Sequence, residues 1–367
     1  MKKTLLVTMD FYPAVGGVSE YYGRLSECMP PGEWVVLAPE LPVGVFEQSV
    51  PYVLYRKRFF SKMLFPRWLK LVWEIFHIIK KEHIRCILVG QVIPVGSAVR
   101  IISIFTGIPY VVALHGMDLG FARKSYRKYK LACSVLRHAH SAIVNSSDTA
   151  RRAMQFGVED RRISLIYPCA DIPQNIPVNS SGEHYPTLLT VSRLVRRKGI
   201  QFIIEALPDV LRVFPTCKYS VVGGGQMRRE LTNLARAKGV SDHIEFIGII
   251  SKTSKDALYR ECDIFVMAPY EDNGDVEGFG IVYLEANSFG KPVIGTRSGG
   301  VPDAVVDGKT GLLVEEKNSD ALADAIIRLA KDAALAGKLG AQGCERVKQE
   351  FQWSVQAKKC EKILTYI

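Results

Sequence analysis

PYEDNGDVEGFGIVYLEANSFGKPVIGTRSGG, residues 269–300, organises the rest of the chain. A polar, acidic run comes first and an apolar stretch over 281–289 follows. Lys291 and Pro292 then open the β-prone pair Val293 and Ile294, ahead of a glycine loop. This order predicts loop, helix, strand, loop. Glu277 and Glu285 bracket the helix entry with seven residues between them. With Gly278, Phe279 and Gly280 as the turn, Glu277 stands before the helix and Glu285 about one turn inside it. The two carboxylates therefore have different jobs. The glycines allow close backbone approach, and the first N–H groups of the helix, at Gly280 and Ile281, suit a phosphate. A carboxylate one turn further in accepts two hydroxyl donors at once, as a vicinal diol offers. Phosphate beside diol means nucleotide. The plainer reading is a solvated Glu285 and a Glu277 that favours the helix dipole by about 0.3–1 kcal/mol. A glycosidase pair does not fit: eight helical steps span about 12 Å, beyond the roughly 5–9.5 Å such carboxylates use.

The chain has 367 residues, 48% hydrophobic and 23% charged, which suits two domains without low-complexity tracts. No segment reaches the roughly 18 uncharged apolar residues of a spanning helix. MKKTLLVTMD begins like a signal peptide, but Asp10 ends the apolar run too early, so it reads as a first buried strand. Eight cysteines stand singly, with no C-x-x-C, which fits reduced thiols in the cytoplasm rather than disulfides or a zinc site. The net charge is +11, and it is concentrated. Nine Lys/Arg against two Glu lie over 55–85, and five more, with no acid, over 121–130. An anionic membrane, a phosphorylated acceptor or nucleic acid would each match such a face.

Along 1–170, strand-like runs at 4–9, 34–38, 86–89, 110–114 and 142–144 alternate with helical ones at 19–28, 66–81, 97–105 and 126–139. This predicts an α/β domain with a parallel sheet and ligands at the strands' C-terminal ends. Gly16 and Gly17 precede the first helix, where backbone can approach a phosphate or sugar, although a diglycine loop is as often just a turn. His115 and Asp118 follow the strand at 110–114. The helix over 66–81 carries Trp68, Leu71, Val72, Ile75, Phe76, Ile78 and Ile79 on one broad face, with Lys70, Lys80 and Lys81 outside it. It reads either as a helix lying on an anionic bilayer, with Phe59, Phe60 and Phe65 exposed beside it, or as a sheet cover with a solvated rim.

Prolines around 167–173 and the polar run 177–186 mark a domain boundary. The pattern then restarts over 183–350. Strands are expected at 187–191, 218–222, 244–247, 264–268 and 311–314; helices at 199–214, 226–239, 254–261 and 319–337. Gly223, Gly224 and Gly225 suggest a dinucleotide fingerprint, but its third glycine would fall on Arg228. Ser192 to Gly199, SRLVRRKG, directly follows a strand, where Arg193 and Lys198 can clamp a diphosphate. Arg196 and Arg197 read equally well as a solvated turn. A final helix over 351–367 opens with Phe351 and Trp353, an anchor that packs back on the first domain or ordinary core.

In this order and spacing the glycine loop, His115, the 167–171 linker, SRL-x3-KG, E-x7-E and the W-S helix resemble family 4 of the retaining glycosyltransferases. DVEGFGIVYLEA is especially similar to bacterial mannosyltransferases acting on lipid acceptors. The resemblance covers nearly the whole chain. It implies the GT-B fold, two Rossmann-like domains with parallel sheets facing across a cleft. It implies that Arg193 and Lys198 hold the donor diphosphate, Glu285 the ribose, and Glu277 with Phe279, Gly280 and Ile281 the donor sugar and phosphates. Gly16 and Gly17 would meet the phosphate through backbone, and His115 the sugar or the reacting face. Cys169 and Ala170 depart from the family's usual asparagine-glycine, which puts the hinge geometry in doubt. Two cations and helix amides suffice for the leaving anion, so no metal and no cofactor beyond the nucleotide sugar is expected. The expectation is hexose transfer, with mannose from GDP-mannose as the first choice, to a lipid-linked or cell-surface glycan, by an enzyme peripheral to the inner face of the membrane and without nucleic acid. The alternatives are a UDP-sugar donor, an epimerase or glycan phosphorylase of the same fold, and a non-enzymatic basic membrane-binding module.

Overall fold

Leu5, Leu6 and Val7 are completely buried, as are Ile87, Leu88 and Val89. Runs of this kind, apolar on both faces, belong in the middle of a parallel sheet with helices on either side. In the computed structural model, which describes residues 1–14, 16–41, 49–173 and 186–367, they do. The polar linker read at 177–186 lies, except for Pro186, outside the described residues. The chain divides into two units, Met1–Pro168 with Trp353–Ile367, and Cys169–Gln352.

The first unit runs β1 (Thr4–Val7), α1 (Gly17–Glu27), β2 (Trp34–Pro39), β3 (Val53–Lys57), α2 (Leu69–Glu82), β4 (Cys86–Val89), α3 (Ser97–Thr106), β5 (Tyr110–Leu114), α4 (Met117–Arg123), α5 (Tyr126–His138), β6 (Ser141–Val144), α6 (Ser147–Gln155) and β7 (Ile163–Leu165). Its strands are all parallel, in the order β3-β2-β1-β4-β5-β6-β7. The second unit runs β8 (Thr187–Val191), α7 (Ile200–Val213), β9 (Lys218–Val222), α8 (Arg228–Ala237), β10 (Ile244–Gly248), α9 (Lys252–Glu261), β11 (Ile264–Val266), α10 (Ile281–Ser288), β12 (Val293–Thr296), α11 (Val301–Ala304), β13 (Gly311–Val314), α12 (Ser319–Lys331) and α13 (Ala333–Glu350). Its parallel order is β10-β9-β8-β11-β12-β13. Both sheets therefore reverse direction beside their first strand, at β1/β4 and β8/β11, where open α/β sheets hold ligands. The loops leaving β8 and β11 carry SRLVRRKG and the E-x7-E turn.

Some elements differ from the sequence reading. β3 and β7 are sheet edges, only partly buried, and their short runs lack the apolar continuity of a central strand. The helix expected over 319–337 is two helices. The backbone leaves helical geometry at Asp332, whose carboxylate accepts from Leu335 N at 2.8 Å and caps α13. The anchor of Phe351 and Trp353 is split. α14 (Trp353–Thr365) belongs to the first unit, where Ala357, Cys360 and Leu364 join the core of Leu6, Tyr22 and Leu88, and Trp353 meets Tyr21 at 5.7 Å. Phe351 stays in the second unit, fully buried 5.9 Å from the Phe279 ring.

Gly199 fixes where the basic turn sits. It has φ +70°, and a Cβ there would lie 1.6 Å from the carbonyl oxygen of Ala268. Gly199→Ala is expected to cost the second unit more than about 2 kcal/mol, read as a lower denaturation midpoint. An unchanged midpoint would contradict this account of the turn.

Candidate functional site

The turn after β8 hands its cations to different surroundings. Residues Arg196–Lys198 form one turn of 3-10 helix, so consecutive side chains point apart. Arg196 faces out to Glu230 at 3.2 Å, with both partners more than half exposed. Arg197 turns in: only 5% exposed, it reaches Glu277 Oε2 at 2.9 Å and Asp275 Oδ2 at 3.2 Å. The solvated reading of Arg197 is therefore wrong, and its carboxylate partners, some eighty residues away, are visible only in three dimensions. Lys198, its side chain 11% exposed, joins this cluster and donates to the same Glu277 oxygen. Arg193 is exposed, and its guanidinium makes no hydrogen bond or ion pair among the described residues.

Burial pushes the Glu277 carboxyl up, but Lys198 and Arg197, by charge and hydrogen bonding, overcome this and hold it below the usual carboxylate range. Lys198 is pulled below its ordinary value by burial and by the like charges of Arg197 and Arg193, against the attraction of Glu277. An anion arriving beside Lys198 would relieve the repulsion it feels. Glu277 Oε1 makes no bond among the described residues, since both donors use Oε2.

Glu277 leads directly into α10. Gly280 sits at φ +87°, the left-handed region a side chain disfavours, and a Cβ on it would be 2.7 Å from the Tyr283 ring and 3.7 Å from Glu277 Cγ. Lys198, Glu277 and Gly280 are thus neighbours. No side chain caps α10, which leaves its first N–H groups, from Ile281, open to a ligand. The Phe279 side chain is buried against Phe351, so only its backbone can serve a ligand. Glu285 lies one turn in and is already engaged: Lys255 Nζ donates to both its oxygens at 2.9 Å and Tyr259 Oη to Oε2 at 2.8 Å. These two partners, four residues apart on α9, were missed in the sequence, where a K-x3-Y spacing was the only signal.

In the first unit Gly16 and Gly17 open α1, again without a side-chain cap, and a Cβ on either would meet no described atom within 4 Å. His115 follows β5, its Nε2 2.8 Å from Tyr22 Oη, and burial pushes its pKa down to about 4. Burial raises Asp118 to about 6, against the pull of nearby backbone N–H groups. The basic segment corrects a further expectation. Leu71, Ile75, Ile78 and Ile79 of α2 are core, with Trp68 and Val72 packed on them, so this face covers the sheet. Phe59 is buried at 3% exposure, whereas Phe60, Phe65, Trp73 and Phe76 are exposed, Phe65 at 85%. Lys80 sits 4.5 Å over the Phe76 ring, and Lys128 3.7 Å over Phe121. Among the described residues no helix is long and apolar enough to cross a membrane.

Two units of this topology, with a cation cluster against an uncapped helix, define a nucleotide-handling enzyme of the GT-B class. Residues 15–173 match the family described as Glycosyltransferase Family 4, and residues 171–346 the family Glycosyl transferases group 1. A GDP-mannose-dependent alpha-(1-6)-phosphatidylinositol monomannoside mannosyltransferase of Mycobacterium tuberculosis is 30% identical over 98% of this chain and 97% of its own. A GDP-mannose-dependent monoacylated alpha-(1-6)-phosphatidylinositol monomannoside mannosyltransferase of Corynebacterium glutamicum is 28% identical over 99% and 98%. The fold is that of sucrose-phosphate synthase from Thermosynechococcus elongatus (TM-score 0.83, 23% identity, 100% and 99% covered). It is likewise that of Anabaena HepE in complex with UDP and glucose (0.78, 19%, 100% of both chains). The chain belongs to glycosyltransferase family 4 and is a glycosyltransferase of the GT-B fold.

Glu277→Gln removes the carboxylate partner of Lys198 and leaves Arg197 with Asp275 alone, and is expected to destabilise the second unit by about 3–5 kcal/mol. Arg196→Ala should cost less than about 1 kcal/mol. Because the Glu277 carboxyl is held low, the stability it adds is full above about pH 4.3, its unfolded value. That stability fades as pH falls through the lower folded value. Denaturant titrations across acid pH should show this loss in the wild type and not in the Gln variant.

Proposed function

We propose that the protein transfers a hexose with retention of configuration, mannose from GDP-mannose being the donor its relatives use, to a lipid-linked or cell-surface glycan. The observation that carries the reading is the arrangement in the second unit: the unpaired guanidinium of Arg193, the partly buried Lys198 and the open start of α10, with Glu277 among them. Arg193 and Lys198 take the diphosphate, and the backbone N–H groups at Phe279, Gly280 and Ile281 share its charge as it develops. The free Oε1 of Glu277 accepts a sugar hydroxyl. Glu285, steadied by Lys255 and Tyr259, receives the ribose diol. In the first unit Gly16 and Gly17 offer backbone to the donor phosphate, and His115 meets the sugar.

The acceptor oxygen bonds to the anomeric carbon on the face from which the nucleoside diphosphate leaves, and its proton passes to the departing phosphate oxygen. Neither Glu277, locked by two cations, nor Glu285, held by Lys255, is placed as a covalent nucleophile. With Arg193 and Lys198 supplying the positive charge, no metal is required.

Arg193→Ala is expected to lower kcat/KM about 10²-fold, and Glu285→Ala to weaken nucleotide binding, with transfer undiminished by EDTA. If either variant keeps both binding and transfer, its assigned role is wrong. Thermal shifts with GDP- and UDP-sugars discriminate the donor: stabilisation by UDP-mannose or UDP-glucose alone would move the assignment to UDP.

We further infer that the exposed Phe60, Phe65, Trp73 and Phe76, in the basic segment 55–85 and with Lys80 over the Phe76 ring, rest on an anionic bilayer at the cytoplasmic face, with the cations of 121–130 adding to the attraction. Vesicles containing phosphatidylglycerol should retain the protein, neutral phosphatidylcholine vesicles should not, and Phe65→Glu with Trp73→Glu should weaken retention about tenfold or more. Equal retention on both vesicle types would contradict the inference.

A further inference from the structure

The surroundings of His115 determine more than its position. Its ring is held edge-on by Tyr21 and Tyr22, with centroids 5.0 and 5.2 Å away. Tyr22 is fully buried, and its hydroxyl has two polar neighbours, the carbonyl oxygen of Gly90 at 2.9 Å and His115 Nε2 at 2.8 Å. A phenol has one proton, and a carbonyl oxygen can only accept. Were the proton turned toward Nε2, two oxygens would face each other in a dry site with nothing between them, which is costly. The proton therefore goes to Gly90, and the phenol oxygen is left to accept from Nε2. Burial keeps the His115 ring neutral above about pH 4, so it carries a single N–H. That N–H is on Nε2, and Nδ1 is a bare acceptor that bonds no described residue.

We propose that Tyr22 is a positioning residue that fixes His115 as the Nε2–H tautomer, so that Nδ1 accepts a hydrogen bond from a hydroxyl of the transferred sugar. The proposal rests on the reading that His115 meets the sugar, and it gives that contact a direction. His115 receives a proton donor and does not supply a proton to the departing phosphate.

The test is nitrogen NMR of imidazoles in the full chain at neutral pH. The chain has seven histidines, and His115 is assigned by the signal that His115→Gln removes. The wild type should show a protonated-type Nε2 and an unprotonated-type Nδ1. Tyr22→Phe should give a mixture of tautomers and lower kcat/KM for transfer about three- to tenfold, the worth of one neutral hydrogen bond. A wild-type spectrum with the proton on Nδ1 overturns the proposal without needing any variant to fold. So does a Tyr22→Phe enzyme that keeps both the tautomer and the rate. Unchanged transfer by His115→Gln would instead overturn the sugar contact, a failure distinct from that of the tautomer, which the spectrum decides separately.

Discussion

Everything in the second unit turns on one carboxylate kept ionised in the interior. Glu277 is 8% exposed, and its charge is tolerated because Arg197 and Lys198 bond to it. The reverse also holds: two cations this deeply placed need a counter-charge. The balance is not neutral locally, since Arg193 adds a cation that no carboxylate answers, and Lys198, whose proton affinity burial lowers first, is lowered further by the like charges of Arg197 and Arg193. Asp275 at the exposed edge of Arg197 offsets part of it. A site built this way is stable when empty and improves when an anion enters, which is what binding a diphosphate requires.

The fold supplies the geometry without special devices. In each unit the strand order reverses beside the first strand, so that the loops following β1 and β5, and those following β8 and β11, issue from the ligand end of their sheet. Both α1 and α10 begin at glycine without a side-chain cap, so their orphan N–H groups stay available. In α6, α9, α12 and α13, by contrast, Ser146, Ser251, Asn318 and Asp332 each accept from the first turn of their helix. α3, α4, α7 and α11 also follow a glycine without a side-chain cap, but α1 and α10 carry the turns read from sequence as approaching a phosphate.

The first unit divides one helix between two tasks. On α2 a buried side closes the core while Trp73 and Phe76 remain outside with Lys80. Apolar residues all around a basic helix, beyond what the sheet can bury, leave surface that water solvates poorly. Lys80, over the Phe76 ring, keeps the surface amphipathic.

Most of the architecture was legible because local rules and the global fold agree. Central strands such as Tyr110–Leu114 are short, apolar on both faces and bounded by polar turns, and nothing else suits such a run. The E-x7-E turn and SRL-x3-KG were legible as chemistry because glycine, carboxylate and cation stand at fixed spacing to a helix start. What the sequence left undecided depended on partners distant along the chain. Whether Arg197 is solvent-facing or the inner half of an ion pair, and whether Phe59 or Trp73 meets water, follows from which way a turn or helix is rotated on its sheet. That rotation is set by packing over the whole core, and Lys255, Tyr259 and Tyr22 acquire their meaning only from the residues that packing brings within hydrogen-bonding reach.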